Sequence, residues 1–120
     1  MKVLVVESET ALREAIEQAL RAQSHEVSAL ATGGAAREFL AYSTPDVLVV
    51  DLGLGDMAGE GVAQAAAALA SPPRIVLLGR DIDRLDRASA AADAVFRLPL
   101  DLAYFMSLME FYQRRTPPHE

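Results

Sequence analysis

The fold of this chain is decided by the stretch VLVVDLGLGDMAG, residues 47–59. Four apolar residues end in the carboxylate of Asp51, and a loop containing three glycines follows at once. A short apolar run bounded in this way is typical of a strand buried in a parallel sheet. Because ligand sites of α/β proteins form beyond the carboxyl ends of such strands, we expect Asp51 to lie at a functional site.

A second acidic group follows another apolar run. Residues 3–6 (VLVV) lead directly into Glu7, Ser8 and Glu9. If the two strands are neighbours, the carboxylates of Glu7 and Asp51 converge on one crevice. Converging carboxylates repel each other unless a cation or a proton lies between them. The pattern therefore indicates a divalent-metal site, a phosphorylation site or the remnant of one.

The composition narrows the class of protein. The chain has 120 residues, 52% of them apolar, which fits one folded domain rather than a disordered segment. The chain has a net charge of −6, whereas nucleic-acid-binding proteins are usually basic, so we expect no direct contact with nucleic acid. Without cysteine it has neither disulfides nor thiolate metal ligands. No apolar run approaches the roughly 20 residues that cross a bilayer, and the first strand begins too early to leave room for a signal peptide. We therefore expect a cytoplasmic protein with no membrane contact.

Five apolar segments alternate with five segments of helical periodicity. We predict strands at residues 2–6, 26–31, 47–50, 74–78 and 94–97, with a helix after each. This alternation predicts a parallel sheet covered by helices on both faces, and right-handed crossovers leave few ways to wind it. The length suits a flavodoxin-like (βα)5 three-layer sandwich with strand order 2-1-3-4-5, in which strands 1 and 3 are neighbours. We place this α/β domain at residues 1–115 and take residues 116–120 as a tail or the start of a linker.

Four segments in this order carry a resemblance to a known family. They are VVESE at residues 5–9, DLGLGDMAG at residues 51–59, PRIVLLGRD at residues 73–81 and DAVFRLPLDL at residues 93–102. Together they resemble the receiver domain of bacterial two-component response regulators, over nearly the whole chain.

The resemblance carries expectations about the site. It implies that Asp51 is the phosphoacceptor and that a histidine kinase is a partner. It implies that Mg²⁺ would be held by Glu7, Asp51 and the carbonyl of Gly53. It also implies a cis peptide bond between Leu98 and Pro99.

The chain departs from the receiver pattern at the positions that handle charge. Ser8 stands at the second acidic residue, Leu78 at the Thr or Ser that would bond the phosphoryl group, and Leu98 at the Lys that would pair with it. Gly55 and Val95 replace the usual proline and aromatic residue. A phosphorylated aspartate carries about two negative charges, which need a cation and hydrogen-bond donors that leucine cannot supply.

We therefore interpret the chain as a degenerate receiver, a pseudo-receiver that acts through protein–protein contacts and binds Mg²⁺ weakly at most. The alternative is a receiver that still accepts phosphate from a histidine kinase on Asp51. A flavodoxin-like nucleotide-binding enzyme is a third interpretation. Such an enzyme needs a glycine-rich phosphate cradle after strand 1, where this chain has acidic residues that would repel phosphate. We expect no enzymatic activity.

Other polar residues have local roles in this interpretation. Arg80 lies in a loop from which it could reach Asp51, whereas strand alternation points Arg97 away from the crevice. We expect solvated surface positions for the rest: Asp56, Arg84, Arg87, His25 and His119.

The last predicted helix is apolar around most of its circumference. Only Ser107, Glu110 and Arg114 form a polar stripe along it, whereas a surface helix normally has a polar half. We therefore predict an interface on this helix, occupied by a second copy of the chain or by a neighbouring domain. Its candidate residues are Tyr104, Leu108 and Phe111.

Overall fold

The computed structural model describes residues 1–118 and shows strands and helices in strict alternation. The strands are Lys2–Val6 (β1), Glu26–Leu30 (β2), Val47–Asp51 (β3), Arg74–Gly79 (β4) and Ala94–Arg97 (β5). The helices are Thr10–Ala22 (α1), Gly33–Tyr42 (α2), Gly59–Ala67 (α3), Ile82–Ala88 (α4) and Leu102–Arg115 (α5), and a 3₁₀ turn at Ser89–Ala91 follows α4.

The five strands form one parallel sheet in the order β2-β1-β3-β4-β5, which confirms the predicted topology. β1 and β3 are adjacent, with Val6 opposite Val50, so the residues that follow them meet at the same edge. Asp51 is the last residue of β3 and lies opposite Leu78 of β4. The sheet therefore brings three of the predicted site positions to one end.

Two apolar layers cover the sheet, because successive side chains of each strand point to opposite faces. Val5, Val49 and Leu78 lie on the face covered by α1 and α5, where Phe105 and Met109 are fully buried. The opposite face packs against α2, α3 and α4 and contains Leu4, Val6, Leu48, Val50 and Leu77. Strands β1 and β3 are apolar on both faces, which explains why they read as continuous apolar runs.

His25 is buried, so its predicted surface position is wrong. It is only 5% exposed, and its Nδ1 lies 3.3 Å from the amino group of Met1. Burial and the neighbouring amino-terminal charge lower the pKa of His25. The residue closes the bottom of the sheet, where β1 and β2 begin.

Thr116, the residue after α5, contacts the end of the helix. The hydroxyl of Thr116 donates to the carbonyl of Tyr112 over 2.8 Å and so continues the last turn of the helix. The domain boundary after residue 115 stays a prediction. His119, for which we expected a surface position, and the end of the predicted tail lie outside the described residues.

Candidate functional site

The crevice at the carboxyl end of the sheet is centred on Asp51. The side chain is 8% exposed, and its Oδ1 accepts a hydrogen bond from the backbone N–H of Gly53 over 2.8 Å. The start of α3 packs closely behind it. A Cβ added at Gly59 would overlap the carbonyl oxygen of Asp51 and lie 2.7 Å from Cα of Leu52. Only glycine at this position lets α3 start so close to the strand.

Glu7 lies beside Asp51, as the topology predicted. It is 1% exposed, and its Oε2 accepts a hydrogen bond from the backbone N–H of Glu9 over 3.0 Å. Its Oε1 is buried without a donor. Burial raises the pKa of Glu7 to about 7, and a hydrogen bond to Asp51 from its protonated form adds to the effect. Below this pH Glu7 is therefore mostly protonated, and its proton reduces the repulsion between the two carboxyl groups.

The two positions predicted to contact a phosphoryl group are apolar and buried. Leu78 is fully buried and Leu98 is 5% exposed, and both belong to the apolar layer between the sheet and helices α1 and α5. The backbone of Leu98 is held by a 2.8 Å hydrogen bond from its N–H to the carbonyl of Gly79. The Leu98–Pro99 peptide bond is cis, as predicted. The side of the crevice that faces these helices thus offers no side-chain donor from either position.

Two arginines line the open side of the crevice, which has a volume of about 170 Å³. Arg80 does not pair with Asp51; its Nη2 donates to Oε2 of Glu9 over 3.0 Å, and both side chains are exposed. Because Glu9 follows β1 and Arg80 follows β4, this ion pair crosses the mouth of the crevice above β3.

Arg84 has a structural role that the sequence analysis missed. Its Nε and Nη2 each donate to a different oxygen of Glu60 over 2.7 Å, and Nη2 also donates to the carbonyl of Leu52 over 2.8 Å. The hydrogen bonds raise the pKa of Arg84 and lower that of Glu60. The prediction of a solvated helix face is therefore wrong for Arg84. Sequence spacing gives no signal for this pair, but the strand order does, because α3 and α4 follow the adjacent strands β3 and β4.

Asp56 caps a neighbouring helix, although it is exposed as predicted. Its two carboxylate oxygens accept hydrogen bonds of 2.9 Å from the backbone N–H groups of Gly33 and Gly34. These bonds lower the pKa of Asp56 and tie the loop after β3 to the first turn of α2. The loop that follows the candidate phosphoacceptor is thus held by hydrogen bonds to Asp56 and to Arg84.

The donor set for Mg²⁺ is incomplete. Glu7 and Asp51 supply two carboxyl groups, and among the described residues Oε1 of Glu7 is the one buried side-chain oxygen with no hydrogen-bond partner. Ser8 is exposed and contributes no carboxylate. Residues 1–118 contain no cluster of three or more His, Cys, Asp or Glu side chains that could hold a metal ion. Hard divalent cations prefer several anionic oxygens, so these residues do not fit a tight site.

The surface of α5 divides into a buried and an exposed half. Phe105, Met109 and Tyr112 are buried against the sheet. Tyr104 is 67% and Phe111 is 39% exposed, and Leu108 lies half-buried between them. Tyr104 and Phe111 are therefore exposed on one side of this helix, and Leu108 lies between them while also packing against the core.

Within residues 1–118, no helix is both long enough and apolar enough to cross a lipid bilayer.

Comparison with known proteins gives a family and several relatives. The model of the response regulator receiver domain matches residues 3–97. Transcriptional regulatory protein KdpE of Mycobacterium tuberculosis is 30% identical over 116 residues, which are 95% of this chain and 51% of that protein. Virulence transcriptional regulatory protein PhoP of Salmonella typhimurium is 31% identical over 119 residues, 97% of this chain and 53% of that protein. The chain thus spans about half the length of the curated relatives it matches.

Solved structures share the fold at lower identity. A CheY-like receiver domain from Methylobacillus flagellatus superposes with a TM-score of 0.83 at 20% identity, covering 93% of this chain and 98% of that one. Response regulator TrrA from Thermotoga maritima, in complex with Mg²⁺ and BeF, gives a TM-score of 0.81 at 21% identity, covering 92% and 97%.

The family and the curated relatives are receivers and transcriptional regulators, not enzymes. The sequence match, the strand order and the placement of Asp51 lead to the same conclusion: the chain belongs to the receiver domain family of two-component response regulators.

Proposed function

We propose that this receiver domain is degenerate and signals through protein–protein contacts rather than through stable phosphate on Asp51. The observation that carries the proposal is the burial of Leu78 and Leu98 at the positions of the phosphate-binding hydroxyl and ammonium groups. Neither side chain can donate a hydrogen bond, and both exclude water from the inner side of the crevice.

The charge balance of the crevice supports this proposal. A phosphorylated aspartate carries about two negative charges at neutral pH, and burying them without partners is costly. The two cations that line the crevice, Arg80 and Arg84, already pair with Glu9 and Glu60. Either arginine would have to leave its carboxylate to reach a phosphoryl group. The site therefore lacks a free cation at the place where charge would appear.

The small number of charged ligands also limits the binding of Mg²⁺. We propose that Glu7, Asp51 and the carbonyl of Gly53 hold the ion only in the millimolar range or more weakly. A bound ion would supply positive charge beside Asp51. Two carboxyl groups are a small donor set, and burial favours the neutral form of Glu7, which is a poor ligand.

The partners we propose are proteins. Receiver domains interact with histidine kinases, and we propose a kinase or another signalling protein in the cytoplasm as the partner here. The outward side of α5 would contact a second copy or a neighbouring domain. The expectation of no nucleic acid is not supported by relatives that are transcriptional regulators. We propose that any such contact is made outside this chain, whose net charge of −6 repels phosphate.

Phosphorylation of Asp51 by a histidine kinase is the second candidate function. It is favoured by the retention of Asp51 and Glu7 in one crevice and by the hydrogen bond from Gly53 that orients the aspartate.

Acetyl phosphate labelling with Mg²⁺, followed by intact-protein mass spectrometry, separates the two functions. We expect little or no added phosphoryl mass on the natural chain. A variant that restores the polar groups (Ser8→Asp, Leu78→Thr and Leu98→Lys together) should gain labelling, which an added Asp51→Asn change should remove. Substantial labelling of the natural chain that Asp51→Asn abolishes would refute the degenerate receiver.

A further inference from the structure

We propose that the groove between α3 and α4 binds a small apolar molecule that carries one anionic group. The groove has a volume of about 410 Å³, within the range of roughly 300–1,000 Å³ found for small-molecule sites. It is more than twice as large as the crevice at Asp51, at about 170 Å³. The proposal does not depend on whether Asp51 accepts phosphate.

Small side chains create the groove. Helix α3 presents Ala63 and Ala67 to it, and the end of α4 with the following 3₁₀ turn presents Ala88, Ala90 and Ala91. Residues with longer side chains at these positions would close the space between the two helices. Leu77 of β4 also lines the groove and gives it an apolar floor. Atoms that line an empty groove have no partner for dispersion contacts on that side. An apolar ligand would supply those partners.

The charged side chains at the rim of the groove favour an anionic ligand. Glu60, Arg84 and Arg87 line the groove, and Arg84 neutralises Glu60 through its two hydrogen bonds. Arg87 is exposed and, among residues 1–118, forms no hydrogen bond or salt bridge, and its charge adds to that of Arg84 beside Glu60. The rim therefore carries one excess positive charge in a chain whose net charge is −6. A carboxylate, sulfonate or phosphate group at Arg87 would gain a charge-assisted hydrogen bond.

The groove adjoins the candidate phosphoacceptor through Arg84. This side chain lines both the groove and the Asp51 crevice, and its third hydrogen bond holds the carbonyl of Leu52. A ligand that contacts Arg84 thus touches the side chain that holds Leu52, the residue after Asp51. This position distinguishes the groove from an ordinary gap between surface helices.

The probe for the test is 8-anilinonaphthalene-1-sulfonate, an aromatic body with one sulfonate, titrated against the chain by fluorescence. We expect saturable binding to one site per chain. Ala67→Leu should weaken binding by filling the groove, and Arg87→Gln should weaken it about tenfold by removing the charge-assisted contact. The uncharged analogue N-phenyl-1-naphthylamine should bind more weakly than the sulfonate and be insensitive to Arg87→Gln.

Controls exclude general effects and the other apolar surface. Arg37→Gln removes an exposed arginine from α2 and should leave binding unchanged. If Ala67→Leu impairs folding, Ala91→Leu fills the same groove from the 3₁₀ turn. The proposal is overturned by absence of saturable binding, by binding that survives both the groove-filling and Arg87→Gln changes, or by binding that only Tyr104→Glu on α5 removes.

Discussion

Arg84 and Glu60 form a bidentate ion pair, with two 2.7 Å hydrogen bonds, that joins the start of α4 to the start of α3. The two side chains are 34% and 32% exposed, so water screens the pair less than a fully exposed one. The same guanidinium holds the carbonyl of Leu52, the residue after Asp51. This one side chain therefore connects two helices and the loop that follows the candidate phosphoacceptor.

We expect a measurable coupling free energy between Arg84 and Glu60. In a double-mutant cycle with Arg84→Gln and Glu60→Gln, the interaction should contribute about 1 kcal/mol to the free energy of unfolding, at the upper end for partly exposed pairs. Urea denaturation measures it. The Arg114–Glu110 pair on α5 is the matched control, because its side chains are 63% and 69% exposed. A coupling no larger than that of the control would contradict the connecting role of Arg84.

Glu7 gives the stability of the domain a distinctive pH dependence. Burial and Asp51 raise its pKa from 4.5 to about 7 in the folded state. Between these pH values the folded protein binds more protons than the unfolded chain, so the contribution of Glu7 is fully present below about 4.5 and is lost as the pH rises through 7. Glu7→Gln should therefore stabilise the domain at pH 8, by up to about 3 kcal/mol, and have little effect at pH 4.5.

Urea denaturation of the natural chain and of Glu7→Gln, each measured from pH 4.5 to pH 8, isolates the contribution of Glu7 to the free energy of unfolding. His25, whose pKa is lowered, destabilises the folded state at acidic pH in both proteins and cancels in the comparison. Glu14→Gln on the exposed side of α1 is the control and should keep the natural pH profile. Parallel profiles for the natural chain and Glu7→Gln would show that Glu7 titrates normally.

The fold could be predicted from the sequence because it depends on local patterns, namely short apolar runs that alternate with segments of helical periodicity. Each apolar run became a strand of the parallel sheet, and the neighbouring positions of β1 and β3 followed from topology rules. The burial of Leu78 and Leu98 fits the same pattern, since Leu78 lies in the apolar run of β4 and Leu98 directly follows β5.

The contacts that the sequence missed join residues far apart in the chain. Arg84 and Glu60 are 24 residues apart, and Asp56 caps Gly33 from 23 residues away. We expect His25 at the surface from its isolation in the sequence, whereas it is buried beside the amino terminus, 24 residues away. Such contacts depend on where loops return over the sheet, which hydrophobic periodicity does not encode.

Mg²⁺ affinity should respond to the missing acidic residue. We expect the natural chain to bind Mg²⁺ in the millimolar range or more weakly, and Ser8→Asp to bind it at least several-fold more tightly, because it adds an anionic oxygen beside Glu7 and Asp51. Isothermal titration calorimetry measures both. Ser28→Asp, at a half-buried position of β2 away from the crevice, controls for added charge alone. Micromolar affinity in the natural chain would contradict the incomplete donor set.

Self-association should depend on the outward side of α5. Tyr104 is 67% and Phe111 39% exposed on this side, and Leu108 lies half-buried between them. Exposed apolar patches on folded domains commonly mark contact sites, and a symmetric pair would bury the same patch on both copies. We therefore expect a homodimer in sedimentation velocity at high protein concentration. Tyr104→Glu with Leu108→Glu should give a folded monomer, because each copy would bring two carboxylates into the contact.

The chain supplies a matched control for this experiment. Tyr42, at the end of α2, is 89% exposed, so Tyr42→Glu makes the same chemical change on another surface and should leave the dimer intact. Circular dichroism verifies that each variant is folded. A natural chain that stays monomeric at the highest concentration would contradict the homodimer and leave a neighbouring domain as the occupant. Limited proteolysis of the full-length gene product then tests that occupant, because Tyr104→Glu with Leu108→Glu should release the neighbouring domain and expose the end of α5 to cleavage.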